Sequence, residues 1–285
     1  MESTRRTTVP LTYAGLERPY VLQAGPAAGD RSPLLLELHG RGIDALQFDR
    51  LTGFGALGEE AGFALALPTA VGEIWNDGRD LPAEESGRPD DVGYLEAVID
   101  DAIARLPVDP RRVYVVGMSN GATMAGRLAC QLADRIAAIA QMAGTVAVQV
   151  AGGCRPGRPT PILNIHGTAD DMAPYEGGIR HSLRGRVMLR HARGPAVGVD
   201  DWARFWVAAN GVLEPPAVSS LPPDTTIRRW RGPSPSCDVT FYRIDGGGHT
   251  WPGGRWWLPA LLFGHTSRTF DATTVIWEFL AAHGG

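Results

Sequence analysis

The chain has 285 residues, 44% hydrophobic and 20% charged, the composition of a soluble globular protein long enough to bury a sizeable core. A net charge of -4 offers no basic footprint for nucleic acid or anionic membrane as a partner, and all 27 basic residues are Arg, which excludes lysine chemistry. Cys130, Cys154 and Cys237 are too few and too widely spaced to suggest a metal site, and they allow at most one disulfide.

In chain order, residues 7–13 and 18–23 predict a short antiparallel pair turned at Ala14-Gly15, and 34–38 a buried strand ending in His39-Gly40-Arg41-Gly42. From 46 to 61 apolar residues recur at helical spacing (Phe48, Leu51, Phe54, Leu57, Ala61), and Gly62 closes that helix. Residues 63–67 give the next strand, stopped by Pro68. Asp90 and Asp91 open a second helix whose apolar face is Val92, Leu95, Val98, Ile99, Ile103 and Leu106, and Pro107 and Pro110 end it. The β-branched run 113–116 leads directly into Gly117-Met118-Ser119-Asn120-Gly121, then into an Ala/Leu-rich helix to about 133.

Strands follow at 136–141 and 162–165, then a helix at 200–209 that buries Trp202, Phe205 and Trp206. A proline-rich stretch, 213–235, reads as loop around a strand at 226–231; a strand at 238–244 and a helix at 271–282 close the chain. The uncharged stretch 136–154 is Ala/Gly-rich and interrupted by Gln141 and Gln149, which predicts a buried strand with its loop rather than a membrane span. Cys130, inside a helix, predicts a buried free thiol. Residues 1–6 lack the apolar core of a secretory signal, which predicts a cytoplasmic chain or one already trimmed. The alternation of strand and helix calls for an α/β fold, a mostly parallel central sheet with helices on both faces, in a single domain over 1–285.

Strand, G-x-S-x-G, helix is the pattern of a nucleophile elbow, in which glycines let strand and helix approach around a strained serine. With 36 glycines in the chain the pentapeptide alone says little, and its placement gives it weight. A serine hydroxyl needs a base to take its proton, and that base needs a third group to fix its tautomer. On this scaffold the chain order is Ser, acid, His. Asp170 at the end of the 162–165 strand and His249 in the glycine-rich loop after 238–244 complete the set with Ser119, and Asp171 is the alternative acid. His39 and His166 precede Gly at strand ends and are expected to satisfy backbone groups, while His181, His191, His265 and His283 are expected in solvent.

The oxyanion hole is expected from the backbone N–H groups of Asn120 and Arg41, with Gly42 as the alternative to Arg41. Two long loops, 69–89 and 252–269, supply Trp75, Asn76, Trp256 and Trp257, and Trp251 stands just before the second. These five are the candidate substrate-binding residues, placed to stack on an aryl or apolar acyl group.

Leu38-His39-Gly40-Arg41-Gly42, Trp75-Asn76-Asp77-Gly78-Arg79, Asp90-Asp91-Val92-Gly93-Tyr94-Leu95, the Gly117–Gly121 pentapeptide, Ile165-His166-Gly167-Thr168-Ala169-Asp170 and Gly246-Gly247-Gly248-His249-Thr250-Trp251-Pro252 resemble the signature blocks of one esterase group. That group is the polyhydroxybutyrate depolymerase and feruloyl esterase family, related to carbohydrate esterase family one, and the likeness runs from about residue 34 to 282. The resemblance implies an α/β-hydrolase fold and hydrolysis of carboxylic esters, feruloyl or other aryl, short-chain or polyester, through an acyl-enzyme on Ser119, with Asp170 and His249 and no cofactor. The chain departs from the group near residues 75–79, where paired cysteines are common in it, and at Val212, where a cysteine often follows Asn-Gly, so the resemblance does not carry over secretion or a disulfide ending at Cys237. A serine peptidase of the same fold would share the triad and differ in cleaving amides; a non-catalytic binding protein would fail to react with a fluorophosphonate.

Overall fold

In the computed structural model the described residues are 6–25, 31–79, 87–178, 194–254 and 259–284. The N-terminal pair forms one residue block differently from expectation. β1 (Arg6–Val9) pairs antiparallel with β4 (Tyr20–Gln23), while β2 (Thr12–Tyr13) and β3 (Leu16–Glu17) make a separate hairpin. Pro10, which has no N–H to give a ladder, divides the two, and Ala14 and Gly15 turn the hairpin with φ of 49° and 79°.

Six parallel strands follow: β5 (Ser32–Leu38), β6 (Ala64–Pro68), β7 (Val108–Met118), β8 (Ala138–Met142), β9 (Ile162–Gly167) and, later in the chain, β12 (Val239–Ile244). β10 (Ala217–Leu221) and β11 (Thr225–Trp230) add an antiparallel edge, so the ten-stranded sheet runs β1-β4-β6-β5-β7-β8-β9-β12-β11-β10. β10 is absent from the sequence expectation because it is an exposed edge strand with no alternation to read. In register, Met118 faces Met142, Met142 faces Ile165, and Gly167 faces Ile244, so the carboxyl ends of β7, β8, β9 and β12 line up along one edge. In open parallel sheets that edge is where ligands bind.

Period-two alternation sends the strand side chains to opposite faces. Leu34, Leu36, Leu38, Val113 and Val115 pack with α3 (Asp91–Arg105), α4 (Asn120–Gln131) and the Val199–Ala209 helix. Leu35, Leu65, Leu67, Tyr114 and Val116 pack with α1 (Ala45–Thr52), α2 (Phe54–Ala61) and the Ala272–Ala282 helix. α1 and α2 replace the single helix expected over 46–61. Gly53, at φ 81°, closes α1 with its N–H on Asp49 O at 2.7 Å, and the Asp49 carboxylate then takes the Gly55 N–H at 2.6 Å.

Cys130 at the end of α4 is disulfide-bonded to Cys154, 24 residues on, which overturns the expected free thiol; Cys237 is the buried free cysteine. The stretch after β8 holds a short helix, Val148–Gly153, rather than loop alone. Among the described residues no helix is long and apolar enough to cross a membrane.

Candidate active site

Ser119 leaves β7 with φ 58° and ψ -116°, a conformation that costs a non-glycine residue on the order of 1–3 kcal/mol. What imposes it is the closeness of β7, α4 and β5. A Cβ on Gly117 would lie 2.3 Å from Gly121 O, and one on Gly121 would lie 2.1 Å from Leu38 O. Both positions of the pentapeptide therefore require glycine. The Ser119 N–H is held by Met142 O at 2.8 Å, and its carbonyl opens α4 through Thr123 N at 3.0 Å. The serine is thus placed by backbone; its hydroxyl has no hydrogen bond among the described residues.

Two strands along, Asp170 follows β9 and is 4% exposed. Its Oδ1 accepts the N–H groups of Met172 and Ala173, each at 2.8 Å, and its Oδ2 accepts Nδ1–H of His249 at 2.8 Å. Burial pushes this carboxyl up, but the His249 charge and hydrogen bond, His166 and the Ala173 N–H outweigh it and hold Asp170 below the usual carboxylate range. An ionised Asp170 only accepts, so Nδ1 of His249 carries the proton of this bond and Nε2 takes no part in it. Asp171 is exposed and lies outside this arrangement.

His249 arrives from the far side of the sheet. After β12 the chain turns back, pinned by Gly248 N to His265 O at 2.9 Å and His249 N to Phe263 O at 2.7 Å. Two residues later Trp251 packs edge-on against Phe48 and Phe54, with ring centroids 5.7 and 6.0 Å apart. Those rings belong to α1 and α2, and Trp251 shares one buried cluster with them, with Tyr242 and Ile244 of β12 and with the Ala272–Ala282 helix.

The other histidines divide as their sequence settings suggest, with one correction. His39 donates Nδ1–H to Gly40 O at 2.8 Å and accepts Ala70 N–H on Nε2 at 3.1 Å, and burial holds its pKa down. His166, also lowered by burial, donates Nε2–H to Ala173 O at 2.8 Å and lies 3.6 Å from Asp170 Oδ2. His265 is largely exposed, whereas His283, expected in solvent, is packed in with Asp238 Oδ2 at 3.2 Å. His181 and His191 lie outside the described residues.

The glycine-rich loop after β5 lies against the elbow: a Cβ on Gly40 would touch Ser119 Cβ at 3.7 Å. The Gly42 N–H is committed to Glu73 O at 3.1 Å, which leaves Arg41 as the reading for the second oxyanion donor. The five substrate-binding candidates fare differently. Trp75 and Trp251 are at most 1% exposed, so they are core anchors and present no platform. Trp75 Nε1–H donates to His39 O at 3.0 Å; Trp251 Nε1–H donates to Thr273 Oγ1 at 3.0 Å. Asn76 is half-buried and ties its N–H to Asp91 at 2.6 Å, its side chain to Pro89 O at 3.2 Å and its carbonyl to Arg127 at 2.6 Å. Trp256 and Trp257 lie outside the described residues.

Sequence reasoning assigned the Asn120 backbone a role but missed its side chain. Asn120 Oδ1 accepts Trp75 N–H at 2.7 Å, and Nδ2 donates to Trp75 O at 3.1 Å and to Asp77 Oδ2. A polar residue at the buried first turn of a helix was the available signal, since such a side chain needs partners. Among the described residues no group of three or more His, Cys, Asp or Glu is arranged to hold a metal ion.

A mostly parallel sheet with helices on both faces and a serine elbow at the end of a central strand defines an α/β-hydrolase. The acetyl xylan esterase from Aspergillus awamori shares this fold at a TM-score of 0.61 and 13% identity, with 86% of this chain and 94% of that one covered. The family model for esterase PHB depolymerase matches residues 18–154. NocK of Nocardia uniformis subsp. tsuyamanensis, named as an esterase, is 32% identical over 282 residues, 95% of this chain and 81% of that protein. Feruloyl esterase B of Piromyces equi is 31% identical over 228 residues, 78% of this chain but only 40% of that protein. The chain belongs to the PHB-depolymerase and feruloyl-esterase family of α/β-hydrolases, and it is a carboxylic ester hydrolase.

Proposed function

We propose that the ester is cleaved by two-step acyl transfer, with Ser119 as nucleophile, His249 as general base and then acid, and Asp170 orienting the imidazole. The observation that carries this reading is the 2.8 Å hydrogen bond from His249 Nδ1–H to Asp170 Oδ2, which leaves Nε2 able to take a proton. Ser119 and Asp170 leave strands two positions apart, about 10 Å at the backbone, and in this reading the His249 ring spans that gap.

His249 Nε2 takes the Ser119 proton as Oγ attacks the ester carbonyl. The negative oxygen of the tetrahedral intermediate is stabilised by the N–H groups of Asn120 and Arg41. His249 then protonates the leaving alcohol, and a water molecule, deprotonated by the same ring, releases the acid. The substrates are feruloyl or other aryl esters, short-chain esters or hydroxyalkanoate polyester. The name of the feruloyl esterase relative and the description of the matching family support this class. With Trp75 and Trp251 in the core, any aromatic platform rests on Trp256 and Trp257. The 1–285 chain acts as a single domain, a reading supported by one sheet running through it.

Ser119→Ala tests the scheme. Turnover of p-nitrophenyl acetate and labelling by a fluorophosphonate should both disappear; persistence of either puts the nucleophile elsewhere. Comparing methyl ferulate, acetylated xylan and a hydroxybutyrate oligomer then ranks the substrates, and equal, negligible rates on all three would reject the class.

A further inference from the structure

Five contacts made by one loop have no part in the scheme above. The segment after β6 touches both backbone stretches from which the oxyanion donors are drawn. On the β5 side, Ala70 N–H is accepted by His39 Nε2 at 3.1 Å, Trp75 Nε1–H donates to His39 O at 3.0 Å, and the Trp75 and His39 rings lie 5.0 Å apart. On the elbow side, the Trp75 backbone N–H and carbonyl are both taken by the Asn120 side chain, at 2.7 and 3.1 Å. Trp75 is 0% exposed, His39 0% and Asn120 2%, so solvent does not compete for these bonds.

The geometry of a peptide plane gives these contacts a direction. The Gly40 carbonyl and the Arg41 N–H belong to one rigid plane and point opposite ways. His39 Nδ1–H holds Gly40 O at 2.8 Å, so the orientation of the His39 ring aims the Arg41 N–H. Trp75 and Ala70 fix that ring and the carbonyl of the same residue. Through Asn120, Trp75 also fixes the first residue of α4, whose own N–H is the other donor. One residue, itself fully buried, therefore braces both halves of the hole.

We infer that Trp75 is a positioning residue for the oxyanion hole: through His39 on one side and Asn120 on the other it aims the two amides at the transition-state oxygen. The inference rests on the proposed triad scheme. It assigns to the Trp75-Asn76-Asp77 block an effect on kcat rather than on substrate binding, since the brace matters where negative charge develops.

Trp75→Phe keeps a ring against His39 but removes the indole N–H; Asn120→Asp replaces the amide NH2 that donates to Trp75 O and Asp77. For both variants, kcat and KM for p-nitrophenyl acetate are measured beside inhibition by phenylboronic acid, whose adduct on serine is tetrahedral and anionic. Each variant should lose about tenfold in kcat with KM within about twofold, and boronate inhibition should weaken by the same factor. Wild-type kcat and boronate affinity in both variants would overturn the inference, as would failure of both to fold by circular dichroism, which would make the brace a plain core contact. Wild-type enzyme that neither turns over the ester nor labels with a fluorophosphonate would instead sink the triad scheme.

Discussion

Replacing Asp170 by Asn changes one atom in a fully buried site, and the structure dictates which way the new amide must face. Two N–H groups, from Met172 and Ala173, point at Oδ1 from 2.8 Å each, so the amide oxygen has to stay there. Turning the NH2 toward them would leave two buried donors facing a donor, at roughly 1–3 kcal/mol apiece. The NH2 therefore takes the Oδ2 position, 2.8 Å from His249 Nδ1, and donates to it. That forces the ring proton onto Nε2, where it blocks acceptance of the Ser119 proton.

Wrong-tautomer variants of serine triads lose about 10⁴ in kcat, equivalent to about 5.5 kcal/mol of transition-state stabilisation. Asp170→Asn should show that loss on p-nitrophenyl acetate with KM changed only a few-fold, while Asp171→Asn stays within about twofold. A fall of less than about tenfold, or an equal fall in both variants, would refute the assignment. The same carboxyl fixes the sign of a pH effect. Its folded pKa is depressed, so its contribution to stability is present above the unfolded value and is lost as pH falls through the folded one. The Tm gap between wild type and Asp170→Asn should accordingly shift most below about pH 4.

Two further perturbations probe the frame. Glu37 is fully buried on β5; burial first, then the neighbouring Asp49, drives its carboxyl well above the usual range, and its Oε2 has no partner among the described residues. A raised folded pKa means the stability it contributes when protonated is lost as pH rises, so Glu37→Gln should raise Tm relative to wild type at pH 8 and by less at pH 4.5; a pH-independent difference would contradict this. Removing the 24-residue Cys130–Cys154 link with a double Ser substitution should cost about 3 kcal/mol by loop-closure entropy, seen as a Tm lowered by roughly 5–10 °C and made indifferent to reductant.

Those parts of the molecule governed by short-range rules were legible in the sequence. β-branched and aliphatic runs gave β5 to β9 and β12, and Asp90, read as opening α3, caps it through a side-chain oxygen. The elbow was readable because Gly117 and Gly121 answer a steric demand visible as spacing. The hydrogen bond between Asp170 and His249 followed from chain order on this scaffold. Less accessible were features that depend on where distant segments meet. Nothing local shows that Cys130 and Cys154 come within bonding distance, or that Gly53 would break the 46–61 helix by taking a left-handed φ. The Asn120–Trp75 clamp joins residues 45 apart through a side chain whose backbone already had a role.

The tryptophans show why aromatic residues beside long loops mislead. Such loops have to be ordered if they carry or brace reacting groups, at about 1–2 kcal/mol of backbone entropy per residue. A buried indole removes about 200 Å² from water, roughly 5 kcal/mol at 25 cal/mol per Å², enough to offset three or four such residues. Trp251, two positions after His249, is wedged between Phe48 and Phe54 and bonded to Thr273, which itself donates to Thr52 O at 2.6 Å. Trp75 is likewise bonded to the loop after β5, through its Nε1–H to His39 O. On the proposed scheme, each lies where an unanchored segment would let a donor or base drift, so the two rings stabilise geometry rather than contact the acyl group.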